Sequence, residues 1–453
     1  MEIIISIVTS ILFSILVYKN TSGIGVFFFT LIAFAAASYI LKLFNKPFKK
    51  SSIPYVVCAI LLSISTCTTA NTTIIALNNL GIILLFFTFL INQMNPVFTL
   101  LNVLHSMLNV TFYIEKPFVD IKNELAFIKN EKTDIILKGL CGLVISLPVL
   151  AVITALLASA DAVFSSIVGS FFKHSVPSSG MVGRFITGLL FFLIFYCAFY
   201  SCDNIPALMK RQKQYNNSIG VICALLPITV IYLIFSVIQI AFLFLHGIFS
   251  LPVDITYAQY AHEGFYQLLF VALFNLSAVF LLTRLCKKQR FLNFLLAVIS
   301  LCTCIMILSA GYRIIMYIDA YYLTRLRIMV LWFLLLTLIV MLYVIYYIYH
   351  PTFPINRITI ITVSVLYLIL SFSRMDYIIA DYNLTHDTNI SCNEAYYLMH
   401  SLSCDATPAI MSYEENIDSN ELKYYISDIN YVYHKTSVLQ FNLSKYLAYK
   451  AVN

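Results

Sequence analysis

Long apolar stretches separated by short polar breaks run along most of the chain. A bilayer core of about 30 Å needs roughly 20 apolar residues in a helix. Eleven stretches approach that length, near 3–19, 24–44, 53–70, 74–92, 139–158, 184–202, 219–246, 264–283, 291–311, 328–349 and 358–373. The runs are continuous rather than alternating, which fits helices whose backbone groups are satisfied internally and not the strands of a barrel. The pattern predicts an all-α, polytopic transmembrane helix bundle of about 11 spans.

The polar breaks divide the chain into four parts. Residues 1–92 form an N-terminal four-span segment, 93–138 a cytoplasmic linker, 139–373 a seven-span core, and 374–453 a small helical extramembrane tail. Within the linker, 98–114 is amphipathic and is expected to lie along the membrane surface. The alternative is a further inserted span. The lysines and acids of 115–138 balance, as on a solvated helical face. The tail is rich in acids, Tyr and Asn, and its pattern predicts short helices near 393–403 and 418–434. It also holds Cys392 and Cys404, a candidate disulfide if the tail faces an oxidising compartment.

Composition settles the broad class. Of 453 residues, 61% are hydrophobic and 11% charged, against about 45–50% and about 25% in soluble domains. So few charges cannot cover a soluble surface of this size, and the immediate partner is the lipid bilayer. The net charge is +7. Assigned to alternate sides, the loops carry seventeen Lys and Arg on one side and six on the other. By the positive-inside rule the N-terminus is cytoplasmic and the tail external. Cations in such short loops set orientation, and nucleic acid is not an expected partner. The 11 Cys include no CxxC pair, so neither a metal site nor a cofactor is expected. The first apolar run lacks a basic flank and a small-residue cleavage site, and reads as a retained anchor. No protein partner is named by the sequence.

Ionisable residues within a span are costly and mark function by default. Here the span centres are nearly free of them, and several gather at the outer ends instead. One segment, 254–269, carries Tyr257, Tyr260, His262 and Glu263. Another, 311–332, carries Arg313, Asp319, Tyr322, Arg325 and Arg327. Helical spacing through the second would place Arg313, Tyr317, Tyr321 and Arg325 on one face. Three readings compete. Tyr and Arg suit interfacial anchoring. The three arginines could hold a phosphate, carboxylate or lipid headgroup, since a guanidinium binds oxyanions in pairs. Glu263 or His262 could act as a general base, assisted by Asp161, Asp254 or Asp319.

Familiar catalytic signatures fail. HEGF at 262–265 lacks the second His of HExxH, and neither GxxxxGK[ST] nor GxSxG occurs. No catalytic residue is assigned. The leading reading is a non-enzymatic membrane protein that binds or moves an anionic or lipid-like ligand at the outer face. The alternatives are a sensor or scaffold acting through the tail, and an intramembrane transferase or hydrolase.

TYAQYAHEGFYQLLFVALFNL at 256–276, YIDAYYLTRLRIMVLWF at 317–333 and the stretch 376–410 with its D-A-x-P-A turn resemble the bacterial membrane proteins grouped as domain of unknown function 4173, with a relative numbered 4153. The resemblance covers roughly 140–415. It implies a bacterial cytoplasmic (inner) membrane and no mechanism. It also marks Gly264 and Trp332 beside the residues named above.

Overall fold

The computed structural model describes residues 1–94, 99–126, 179–203, 218–244, 257–287, 289–386, 396–413, 419–435 and 438–453. These residues are mostly helical, with no β-strand among them. In chain order the long helices are α1 (Glu2–Leu16), α2 (Ile24–Leu43), α3 (Ile53–Thr68), α4 (Thr72–Met94), α7 (Ser179–Asp203), α8 (Ser218–Phe244), α9 (Tyr257–Leu285), α10 (Arg290–Tyr321), α11 (Arg325–Tyr349) and α12 (Ile355–Phe372). Among the described residues between α4 and α7 are two short helices, α5 (Leu100–Asn109) and α6 (Lys116–Ala126). All the long helices except the 15-residue α1 are long and apolar enough to cross a membrane. The expected span at 139–158 lies outside the described residues.

Burial within the bundle is inverted relative to a soluble protein. Ser63, Ser65, Thr66, Asn78, Ser300 and Thr303 are fully buried, while Ile231, Val237 and Phe270 face outward. Lipid is as apolar as Leu, so helices associate through close packing and interhelical hydrogen bonds. Asn78 of α4 shows this: its Oδ1 accepts from Tyr367 Oη and Ser371 Oγ of α12, both at 2.8 Å. Asn275 of α9 likewise donates to Thr303 of α10 at 3.0 Å and accepts from Tyr232 of α8 at 2.9 Å. Helix α5 is inverted in the same way. Asn102 and Ser106 point inward, and Leu101, Leu104 and Leu108 point out. That orientation fits a helix lying at the lipid boundary.

The two largest cores among the described residues organise most of the bundle. The core around α2, α3, α4, α5 and α7 also takes in Leu368 of α12. A second core joins α9, α10 and α11. Helix α12 packs on both α3 and α11, and so bridges the two. The tail comprises α13 (Met375–His386), a π-helical turn Tyr397–Ser401, a 3-10 turn Cys404–Ala406, α14 (Thr407–Met411), α15 (Ser419–His434) and α16 (Leu443–Val452). Ile379, Leu398, Ile410 and Tyr425 share one core with Phe265, Met306, Ile314 and Leu334 of the bundle.

Helix α10 corrects one expectation. It runs ten residues beyond the expected end of its span, to Tyr321, and the chain then turns at Tyr322–Thr324 before α11 begins at Arg325. Arg313 and Arg325 therefore stand on two successive helices, not on one continuous face. Tyr322 turns the chain with φ 61°, a value unusual for a side chain with a Cβ. The Arg327 guanidinium closes the turn by donating to the carbonyls of Tyr321 and Tyr322 and lies over the Tyr317 ring.

Candidate functional site at the tail–bundle junction

The tail is fastened to one end of the bundle by two fully buried carboxylates. Asp376, in the first turn of α13, accepts from Arg325 Nε and Nη2, both at 2.6 Å. It also accepts from Asn71 Nδ2 at 3.0 Å and from the Ser403 amide at 2.9 Å. Asp405 accepts from Thr69 Oγ1 at 2.5 Å and from the Ala70 amide at 3.1 Å. Both acids thus grip the 69–71 loop between α3 and α4. Asn71 completes the joint, since its Oδ1 accepts from the Thr73 and Ile74 amides and caps α4. Asn442 adds a second clasp by donating to the Thr66 and Thr69 carbonyls. Gln440 reaches Lys19 and Asn20 beyond α1.

Above this joint lies a cavity of about 600 Å³. Its walls come from both parts of the molecule. The bundle supplies Thr21, Ser22, Thr72, Asn79 and Arg325, and the tail supplies His400, Ser401, Ser403, Tyr425, Asp428 and Lys445. Among the described residues Lys445 makes no ion pair. Asp428 is the one acid among the described lining residues, and Asp376 and Asp405 are not among them. Cys404 also lines the cavity, but burial pushes its thiol up, which disfavours the reactive thiolate. Burial raises the neighbouring Tyr397 and Tyr425 hydroxyls too, leaving them neutral hydrogen-bonding groups.

Cavities also lie within the spans, and two of them bear on the charged and aromatic residues. A cleft of about 350 Å³ between α8, α9 and α10 is lined by Tyr232, Gln239, Gln267 and Arg313. The Arg313 guanidinium is 6% exposed and donates to Gln239 Oε1 at 3.3 Å. An apolar cavity of about 480 Å³ sits between α1, α2, α4 and α7.

The structure separates residues that the sequence places together. Arg325 is clamped to Asp376, Arg327 serves the α10–α11 turn, and Arg313 lies in the α8–α10 cleft. Of the three, only Arg325 lines the junction cavity. Asp319 is exposed and Tyr322 half-buried. Tyr257, Tyr260, His262, Glu263 and Gly264 occupy the first turns of α9, and their side chains fall outside the described set. Cys392 also lies outside it, and with it the candidate disulfide to Cys404. Trp332 donates to the Leu366 carbonyl of α12, so it ties two spans together.

Sequence reasoning missed Asp376, Asp405 and Lys445. The first two are the D of DYIIADYN and of the D-A-x-P-A turn, both inside the stretch that carries the family resemblance.

The family model described as "Domain of unknown function (DUF4153)" matches residues 56–413, and the chain belongs to that family. The match corrects the expectation that put 4173 first and 4153 as a relative. It also begins within α3, so it takes in α4 and the 69–71 loop as well as the later spans. No curated protein and no solved structure matches the chain.

Proposed function

We propose that this multi-pass membrane protein binds an anionic ligand in the cavity between its tail and its bundle, on the external face. The junction cavity carries the reading. Lys445 and Arg325 line it from opposite parts of the molecule, hydroxyls and amides extend the wall, and among the described residues one acid, Asp428, is present. Its volume falls within the roughly 300–1,000 Å³ of small-molecule sites. The opposite end of the bundle holds Lys46, Lys49, Arg284 and Arg357 around Asn92, Asp203 and Asn356. By the positive-inside rule that end is cytoplasmic and the tail external.

The test uses glycerol 3-phosphate as a soluble anionic probe and thermal unfolding of the detergent-solubilised protein as readout. A ligand that binds only the folded state raises stability with the logarithm of its concentration. The wild type should be stabilised, Lys445→Ala should lose the effect, and Lys445→Arg should retain most of it. Equal stabilisation of wild type and Lys445→Ala would sink the reading.

A second reading, partner docking through the tail, is favoured by one observation. Tyr424 and Tyr431 lie seven residues apart on one face of α15 and are 77% and 61% exposed. Replacing both by Ser should abolish any copurifying partner while leaving the response to glycerol 3-phosphate unchanged. A partner retained by that variant would overturn this reading.

A further inference from the structure

One face of α4 joins two cavities of opposite character. Its upper part, Thr72, Ile75, Ala76 and Asn79, lines the cavity under the tail. The same face continues through Ile82, Ile83, Phe86 and Phe87 and lines the apolar cavity within the spans. These positions step by three and four, so they form a single stripe down the helix. Thr21 and Asn79 belong to both cavities. At that boundary Asn79 Nδ2 donates to the Thr21 carbonyl at 2.9 Å.

Below the boundary no charged side chain lines the wall among the described residues. Phe13, Phe29 and Phe191 meet in stacked and edge contacts across α1, α2 and α7. Deeper in, Phe34, Phe87 and Phe195 are buried. On the open side Ile83, Leu190 and Ile194 are each about half exposed, so the gap between α4 and α7 faces lipid.

We infer that the ligand is an amphiphile, with its anionic head under the tail and one hydrocarbon chain running down the α4 stripe into the phenylalanine-lined cavity. This rests on the head-cavity reading proposed above. A soluble anion would use only the upper chamber, and an ordinary boundary lipid only the lower one. The shared wall at Thr21 and Asn79 serves a molecule that uses both. From Asn79 to Phe87 the stripe drops about 12 Å at 1.5 Å per residue, enough for a chain of several methylenes. Apolar cavities of this kind stay dry and accept hydrocarbon. The gap between α4 and α7 lets such a chain enter sideways from the bilayer.

The experiment compares glycerol 3-phosphate with 1-hexanoyl-glycerol 3-phosphate on the full chain in amphipol. Each buried methylene strengthens binding about fourfold, so the acyl chain should tighten affinity by at least about a hundredfold. Leu190→Trp combined with Ile83→Trp fills the exposed rim without touching the buried floor. That variant should weaken the acylated compound and spare glycerol 3-phosphate. A photoreactive diazirine at the end of the acyl chain should label α2, α4 or α7. Equal affinity for the two compounds, indifference to the rim substitutions, or labelling confined to α8–α11 would overturn the amphiphile while leaving the anion site intact. Binding of neither compound would overturn the head-cavity reading itself.

Discussion

Asp376 holds the most demanding position in the molecule. It is fully buried, and four donor atoms from three residues besides its own helix converge on it: two from Arg325, one each from Asn71 and Ser403. Removing one member of a buried pair costs about 3–5 kcal/mol because the other charge is left uncompensated. Arg325 keeps 28% of its side-chain surface exposed, so Asp376→Asn should fall toward the lower end of that range. The double variant Arg325→Met with Asp376→Leu should cost less than Asp376→Asn alone, as read by unfolding in detergent. Equal or greater loss in the double variant would show that the charge pair itself is not what Asp376 serves. In the sequence Asp376 looks like any acid in an acid-rich tail, because nothing local to it records a partner 51 residues upstream. Arg325 was legible as important, and its role was not: the guanidinium expected to await an external anion is already bidentate to an internal one. Cys404 tests the site by chemistry. With its thiol pushed up by burial, labelling by a membrane-impermeant maleimide should be slow near neutral pH and accelerate only at alkaline pH. Fast labelling at pH 7 would contradict the buried position.

At the scale of elements, the spans were the most legible part, because a 20-residue apolar run has few other fates in water. Their ends were less so. Helix α10 overran its expected end since Tyr, Ile and Asp at 317–319 read as an interface, whereas here they remain helical and stand beside the tail. Connections carried the least signal. Gly23 shows why. It begins α2 with φ 97°, and a Cβ there would meet the Gln440 backbone at 2.9 Å. Both the left-handed conformation and the close approach require glycine, yet the second depends on a segment more than 400 residues away. Gly23→Ala should therefore displace the Val438–Gln440 turn. Protease cleavage beside that turn should rise, with little change at the loops of the opposite end of the bundle. An unchanged cleavage pattern would mean that the contact is dispensable.

For the whole molecule, the sequence marks 374–453 as a small helical extramembrane tail, and its buried residues share a core with the bundle. Its buried residues pack with those of α9, α10 and α11, and its polar joints reach α1, α3 and α4. Truncation after residue 373 should thus abolish accumulation of folded protein rather than release a stable bundle, measured as monodisperse material after solubilisation. The same interlock sets a schedule for biosynthesis. The Thr69 carbonyl, made early, gains the Asn442 amide only after nearly four hundred further residues have been synthesised. Until then the 69–71 loop lacks its partners from the tail, and a nascent chain carries an unfinished surface through most of its synthesis. A stall or a nonsense codon anywhere before residue 442 leaves that surface bare, so incomplete products are recognisable to quality control by the very end of the bundle that the finished protein closes.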